Sequence, residues 1–172
     1  METKGNPEIK IQIAKNEDLF DLNLCAKEFI DLIDNFKKKF LNKKLFILTA
    51  YFNEILVGLL VAEDKSHKVD SLEKILPTIY IHMLYVNPVY RKKNIGKELL
   101  NKFLNIQKEK GFATVHTKLP QKYKTGISFF LKNNFRQINK DGAKVILELN
   151  LWNDYGIDDC QIVEEDLNDM LK

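Results

Sequence analysis

The chain of 172 residues is poor in the residue types that most directly dictate special architectures. It has two cysteines, Cys25 and Cys160, with neither metal-ligand spacing nor the density of a disulfide framework. Its three histidines, His67, His82 and His116, lie far apart, and no HExxH or CxxC pattern occurs, so no metal site is expected. The longest nearly unbroken apolar run, Ile55 to Ala62, is far too short to cross a bilayer. The first ten residues, METKGNPEIK, lack the apolar stretch of a secretory signal. The expectation is a reduced, cytoplasmic protein with no membrane partner. Glycine (7) and proline (4) are scarce, and there is no repeat or low-complexity tract.

What is present suits one packed domain. Hydrophobic residues make up 45% of the chain, with 11 Phe and 6 Tyr, enough to fill a core and exclude wholesale disorder. The net charge of +3 is unevenly spread. Residues 1–75 are nearly neutral at −1, residues 76–140 carry 13 Lys and Arg against Glu98 and Glu109 for a net of +11, and residues 141–172 carry −7. The basic middle therefore calls for an anionic ligand or a solvated lysine face.

Periodicity orders the elements. Ile9, Ile11 and Ile13 alternate as a first strand, and Asn16 is placed to cap a helix carrying Leu19, Leu22, Cys25, Ala26, Phe29, Ile30 and Ile33. A lysine-rich bend, Lys37 to Lys44, ends that region. Leu45–Phe52 and Ile55–Glu63 read as a hairpin across Asn53-Glu54, followed by a polar loop from Asp64 to Lys74 that contains His67. Leu76–Val86 reads as a central strand, apolar on both faces. A helix follows from Ile95 to near Gly111, then a strand over Phe112–Thr117 and a short helix over Thr125–Asn134. Strands over Arg136–Asn139 and Lys144–Leu151 flank a turn at Asp141-Gly142. The fold class is α/β: a central mixed sheet of six to seven strands with helices on both faces. Residues 1–151 form the expected domain. Residues 152–172 form an acidic extension in which Val163, Leu167, Met170 and Leu171 suit an amphipathic helix, either packed on the domain, closing over the basic region or pairing two copies as a homodimer.

The segment YVNPVYRKKNIGKELL (Tyr85 to Leu100) carries the chemistry. A strand stops at Pro88, and a basic turn opens onto a helix. The first N–H groups of a helix have no internal partner and bear partial positive charge, so such a turn cradles phosphate. Asn94 tolerates a left-handed backbone, Gly96 lets a ligand come close, and Arg91, Lys92, Lys93 and Lys97 add charge. Neither GxxxxGK[ST] nor GxGxxG is present, which excludes the commonest nucleotide loops.

RKKNIG (Arg91 to Gly96) resembles the coenzyme A loop of the GNAT superfamily of N-acetyltransferases, [RQ]-x-x-G-x-[GA], with Asn94 in place of the first glycine. FFLKNNF (Phe129 to Phe135) is similar to the family's FY-x-x-x-GF segment, and the element order agrees across roughly residues 9–151. The resemblance implies an acetyl-CoA-dependent N-acetyltransferase of the acyl-CoA N-acyltransferase fold, acting on a primary amine by direct attack. It implies that Leu84, Tyr85 and Val86 present strand backbone to the pantetheine arm and acetyl carbonyl. The N–H groups of Lys92, Lys93, Asn94, Ile95, Gly96 and Lys97, with Arg91 beside them, would hold the pyrophosphate.

Two positions depart from the family pattern. Phe130 stands where relatives place a tyrosine that protonates the leaving thiolate, and Asn134 replaces the glycine of GF. Tyr123 is a candidate substitute for the missing acid. Family bases are often glutamates on the fourth or fifth strand, yet Leu76–Val86 and Phe112–Lys118 contain no acid. His116 and His82 lie there instead as candidate bases, His116 favoured. A non-catalytic acyl-CoA-binding protein is the alternative. A nucleic-acid surface is less favoured, because Lys102, Lys108, Lys110, Lys118, Lys122, Lys124 and Lys132 match no recognised binding module. If the lysines of 37–44 line the acceptor site, like charge disfavours polycationic acceptors.

Overall fold

The computed structural model describes residues 8–69 and 74–152. Seven strands form one sheet: β1 (Ile9–Ile13), β2 (Leu45–Phe52), β3 (Ile55–Asp64), β6 (Thr78–Val86), β7 (Thr114–Pro120), β8 (Arg136–Asp141) and β9 (Lys144–Asn150). Their spatial order is β1-β2-β3-β6-β7-β9-β8, and β6 with β7 is the parallel pair among otherwise antiparallel neighbours. The helices are α1 (Leu19–Ile30), α2 (Phe36–Leu41), α3 (Ile95–Glu109) and α4 (Lys124–Lys132).

The sheet divides the apolar residues into two cores. On one face, Leu22, Ala26 and Ile30 of α1 and Phe36 and Phe40 of α2 pack on Ile47, Leu59 and Val61. On the other, Ile95, Leu99, Leu100 and Phe103 of α3 and Phe130 of α4 pack on Leu48, Leu60, Ile81, Val115 and Leu147. The alternation of Leu59 and Val61 with Leu60 and Ala62 sends consecutive side chains to opposite cores. The expected mixed sheet with helices on both faces is present.

Four details differ from the sequence reading. The lysine-rich bend contains α2, because Phe36 and Phe40 stack at 5.9 Å on one helical face and are buried together. Asn16 lies in a single 3-10 turn and caps no helix; the Asp18 carboxylate instead accepts the Lys15 N–H at 2.7 Å. The loop after Asp64 holds a small hairpin, β4 (His67–Val69) with β5 (Lys74–Leu76), so His67 sits in a strand. Pro77 separates Leu76 from β6 because it has no N–H to offer a ladder; its carbonyl accepts from Ala113 at 2.8 Å. The acidic extension after Trp152, with Cys160, lies outside the described residues.

Gly58 marks the tightest approach. A Cβ there would stand 3.0 Å from the Tyr85 carbonyl oxygen and 3.3 Å from Leu99 Cδ1, both in the interior. At Gly126 a Cβ would meet only the ring of Tyr123, an exposed side chain free to swing away. Gly58→Ala is therefore expected to cost about 1–3 kcal/mol in chemical denaturation, and Gly126→Ala to stay within about 1 kcal/mol of the parent.

Candidate functional site

The site begins where two parallel strands part. β6 follows β3 from Asp64↔Ile79 to Gly58↔Val86. It follows β7 only from Thr78↔Thr114 to Ile81↔Thr117. Beyond Ile81, β6 runs on to Val86 while β7 stays with β9 as far as Pro120↔Lys144. A fork opens between them, and the Thr117 hydroxyl donates to the Ile81 carbonyl at 3.0 Å at its apex. His82 is an extra residue at that point: Val61 opposes Met83 and Ala62 opposes Ile81, so β6 bulges there. Leu84 and Val86 pack into the α3 core, whereas Met83 and Tyr85 turn to the α1 core. The Tyr85 ring lies 5.1 Å from that of Phe29.

The basic turn sits at the mouth of this fork. Asn87 ends β6, donating to Val57 O at 2.7 Å and accepting the Val89 N–H on its side chain at 3.1 Å. Arg91 Nε donates back to Val86 O at 2.9 Å, which ties the turn to the strand. Lys92 (φ 63°) and Asn94 (φ 62°) then adopt left-handed backbone before α3 starts at Ile95. The first helical N–H to find a carbonyl is that of Glu98, bonded to Asn94 O at 2.9 Å. Among the described residues, the N–H groups from Lys92 to Lys97 have no such partner. They are donors available to an anion. A Cβ on Gly96 would meet Val86 and Phe129 at 3.7–3.8 Å, ordinary contact, so the chain's own packing does not require glycine there. Lys93 Nζ is held 5.6 Å from the ring centroids of both Phe52 and Tyr90.

Asn94 and Asn134, the two departures from the family's glycines, share one property. Asn134 has φ 70°, again left-handed. Asparagine is the residue other than glycine that best tolerates this region, so both positions keep a conformation that glycine would also adopt readily.

Both candidate bases are engaged by carboxylates on the α1 side of the sheet. His116 Nε2 lies 2.7 Å from Glu148 Oε2, and Arg136 reaches the other carboxylate oxygen at 3.2 Å. His82 Nε2 lies 2.7 Å from Glu63 Oε2, which also faces Lys39 Nζ at 3.1 Å and Lys65 Nζ at 3.4 Å. The Tyr80 ring stands edge-on to His82 at 4.9 Å and is the cross-strand neighbour of His116. Burial would raise the Glu63 pKa, but the hydrogen bonds from His82 and Lys39 and the charges of Lys65 and Lys39 outweigh it, lowering the value to about 2. Glu63 and Glu148 escaped sequence reasoning because they lie on β3 and β9, not on the strands that carry the histidines. The only signal for Glu63 was a charge closing the apolar run Ile55–Ala62.

Other expected residues are placed differently. Phe130 is 4% exposed, with its ring edge-on to Phe129 and Phe135. Tyr123 is 52% exposed over Gly126 at the start of α4. Among the described residues, Lys39 is the lysine of 37–44 that reaches an acid, while Lys37 and Lys38 line an outer groove beside α1. Within the basic middle, Lys102 donates to Ile11 O, Lys118 pairs with Asp141, and Lys110 lies over the Phe46 ring. Among the described residues, no group of three His, Cys, Asp or Glu could hold a metal, and no helix is long and apolar enough to cross a membrane.

Comparison with known proteins identifies the family and the fold. The acetyltransferase (GNAT) family model matches residues 16–135. The chain belongs to the GNAT family. Spermidine N(1)-acetyltransferase of Thermoplasma acidophilum is 29% identical over 107 residues, which are 62% of this chain and 60% of that protein. The chain thus matches about three-fifths of the length of that relative. PaiA N-acetyltransferase of T. acidophilum, solved with coenzyme A, superposes with a TM-score of 0.65 at 23% identity, over 83% of this chain and 99% of that one. Arabidopsis thaliana NAA60, solved with acetyl-CoA, gives 0.71 at 16% identity, over 83% and 98%. In this GNAT chain, the matched region spans the fork, the basic turn and α4.

The low pKa of Glu63 has a consequence for stability. A carboxyl held at about 2 when folded, against an ordinary 4.5, contributes stability that is complete above about pH 4.5 and is lost as pH falls towards 2. Melting temperatures of Glu63→Gln should therefore decline less steeply than the parent's across that window. Equal slopes would show that Glu63 is not the group responsible.

Proposed function

We propose that this GNAT chain transfers the acetyl group of acetyl-CoA to a primary amine. The observation that carries the reading is the unpaired fork between β6 and β7, with the free N–H groups of Lys92 to Lys97 at its mouth. In this reading the main chain of Leu84, Tyr85 and Val86 takes the place of a strand partner for the pantetheine arm. The N–H groups of Lys92, Lys93, Asn94, Ile95, Gly96 and Lys97 take the pyrophosphate, with Arg91 holding the turn closed against Val86.

The chemistry follows from the acyl donor. A neutral amine attacks the thioester carbonyl carbon, the tetrahedral intermediate collapses, the C–S bond breaks and CoA leaves as thiolate. An ammonium ion must first give up a proton, and His116 or His82 accepts it. With Phe130 at the family's acid position and no hydroxyl there, water protonates the thiolate. The buried Phe130 also carries a second reading, a protein that binds acyl-CoA without turnover. We assign the activity to residues 1–151 and place it in the cytoplasm, where the free Cys25 thiol, its pKa pushed up by burial, needs no partner.

The curated relative supplies spermidine as a first acceptor to try, and the NAA60 fold neighbour suggests a peptide with a free α-amino group. Calorimetry should show acetyl-CoA bound by the parent and not by Gly96→Asp, whose carboxylate would sit against the phosphates. Undiminished binding by that variant would refute the cradle. CoA release with spermidine, the peptide and small amines separates transfer from mere binding. His116→Ala and His82→Ala should both still bind acetyl-CoA, and the variant lacking the base should lose about 10²-fold or more in turnover.

A further inference from the structure

Glu63 is a nearly buried carboxylate, ionised at neutral pH, that nothing in the acetyl-transfer reading requires. Its side chain is 10% exposed, and one oxygen, Oε2, gathers His82, Lys39 and Lys65. Burying a carboxylate is costly unless it is paired, so three donors on one oxygen point to a held position and not to an incidental contact. The donors come from three different places: Lys39 from α2, Lys65 from the residue after β3, and His82 from the bulge in β6.

We infer that Glu63 is the positioning residue for His82, fixing the imidazole as the Nε2–H tautomer so that Nδ1 alone carries the lone pair. The inference rests on the acetyl-transfer reading for its catalytic meaning, but the tautomer stands on geometry. Glu63 is ionised and can only accept, so the ring nitrogen 2.7 Å from it must be the one that donates. A neutral imidazole has one N–H, so the other nitrogen is the base. Proton transfer then balances simply. The acceptor ammonium loses a proton to Nδ1, the amine keeps the electron pair for attack on the acetyl carbon, and the imidazolium keeps its Nε2–H on Glu63. The ring later returns the Nδ1 proton to water.

The bulge makes His82 the ring best placed for this role. It is the inserted residue immediately after Ile81, the last residue of β6 paired with β7. A bulge re-aims one side chain without shifting the rest of the strand. A ring in that position needs a second contact to fix its rotation, and Glu63 supplies it, as carboxylate partners do for metal-bound and catalytic histidines generally. Lys39 in turn ties the Glu63 carboxylate to α2, so this helix helps set the orientation of a ring two strands away from β2.

The test reads the tautomer directly. In protein labelled with 15N at histidine, recorded where the rings are neutral, His82 should show a pyrrole-type Nε2 and a pyridine-type Nδ1. Glu63→Gln, whose amide can donate or accept, should give a mixed pair of resonances, with kcat on spermidine or on the free α-amine peptide reduced at least tenfold. KM for acetyl-CoA should be unchanged. Should Glu63→Gln fail to fold because two lysines lose their partner, the charge-balanced Lys39→Met/Glu63→Gln protein gives the same reading. A parent His82 protonated on Nδ1, or a Glu63→Gln protein with unaltered resonances and turnover, would overturn the inference. Full turnover by His82→Ala would also overturn it while leaving acetyl transfer intact. Loss of acetyl-CoA binding by the parent would instead remove the reading beneath it.

Discussion

Four residue pairs of parallel ladder, Thr78–Ile81 against Thr114–Thr117, set the architecture of this protein. They are enough to join the two halves of the sheet into one. They are too few to carry β6 and β7 together to their ends, so each strand finishes on its other neighbour. The separation is stabilised from both sides: Gly58 lets β3 sit tightly against the outer end of β6, and β9 holds β7 as far as Pro120. Because backbone donors and acceptors must be satisfied, a fork of this kind is stable only where something else meets its polar edges. An amide-rich ligand arm has the right groups to meet them.

Around the fork, the charged groups are arranged in two balanced sets. Each histidine offers Nε2 to a carboxylate, and each carboxylate is neutralised by a cation from elsewhere, Lys39 and Lys65 on one side and Arg136 on the other. The arrangement suits a site that must pass protons without accumulating charge in a half-buried setting. It also shows why the acids could be absent from the central strands. Cross-strand neighbours lie about 5 Å apart, so a carboxylate on β3 or β9 reaches a ring on β6 or β7 as well as one on the same strand would.

The order of strands and helices was legible because it rests on periodicity: Ile9, Ile11 and Ile13 alternate, and Ile95, Leu99, Phe103 and Ile106 recur at helical spacing. The loop from Arg91 to Gly96 was legible because its chemistry is local. The Glu63–His82 and Glu148–His116 pairs were not, since each depends on strand register across tens of residues, and the bulge at His82 shifts that register by one. Helix α2 was hidden for a different reason. Its five internal and flanking lysines, Lys37, Lys38, Lys39, Lys43 and Lys44, dominate the composition, while two phenylalanines four apart determine its structure.

Glycine is scarce in this chain, and the backbone shows how it manages without. Among the described residues, seven others, Lys92, Asn94 and Asn134 included, take up left-handed conformation. Each such residue costs more in the folded state than glycine would, yet its unfolded form has fewer conformations to give up, and the two effects partly cancel. What does not cancel is the timing. A glycine-rich turn keeps part of its freedom until a ligand arrives, and the ordering then weakens binding. The turn from Arg91 to Asn94 takes its shape as the chain folds, so its strain weighs on folding stability and leaves affinity for an anion untouched.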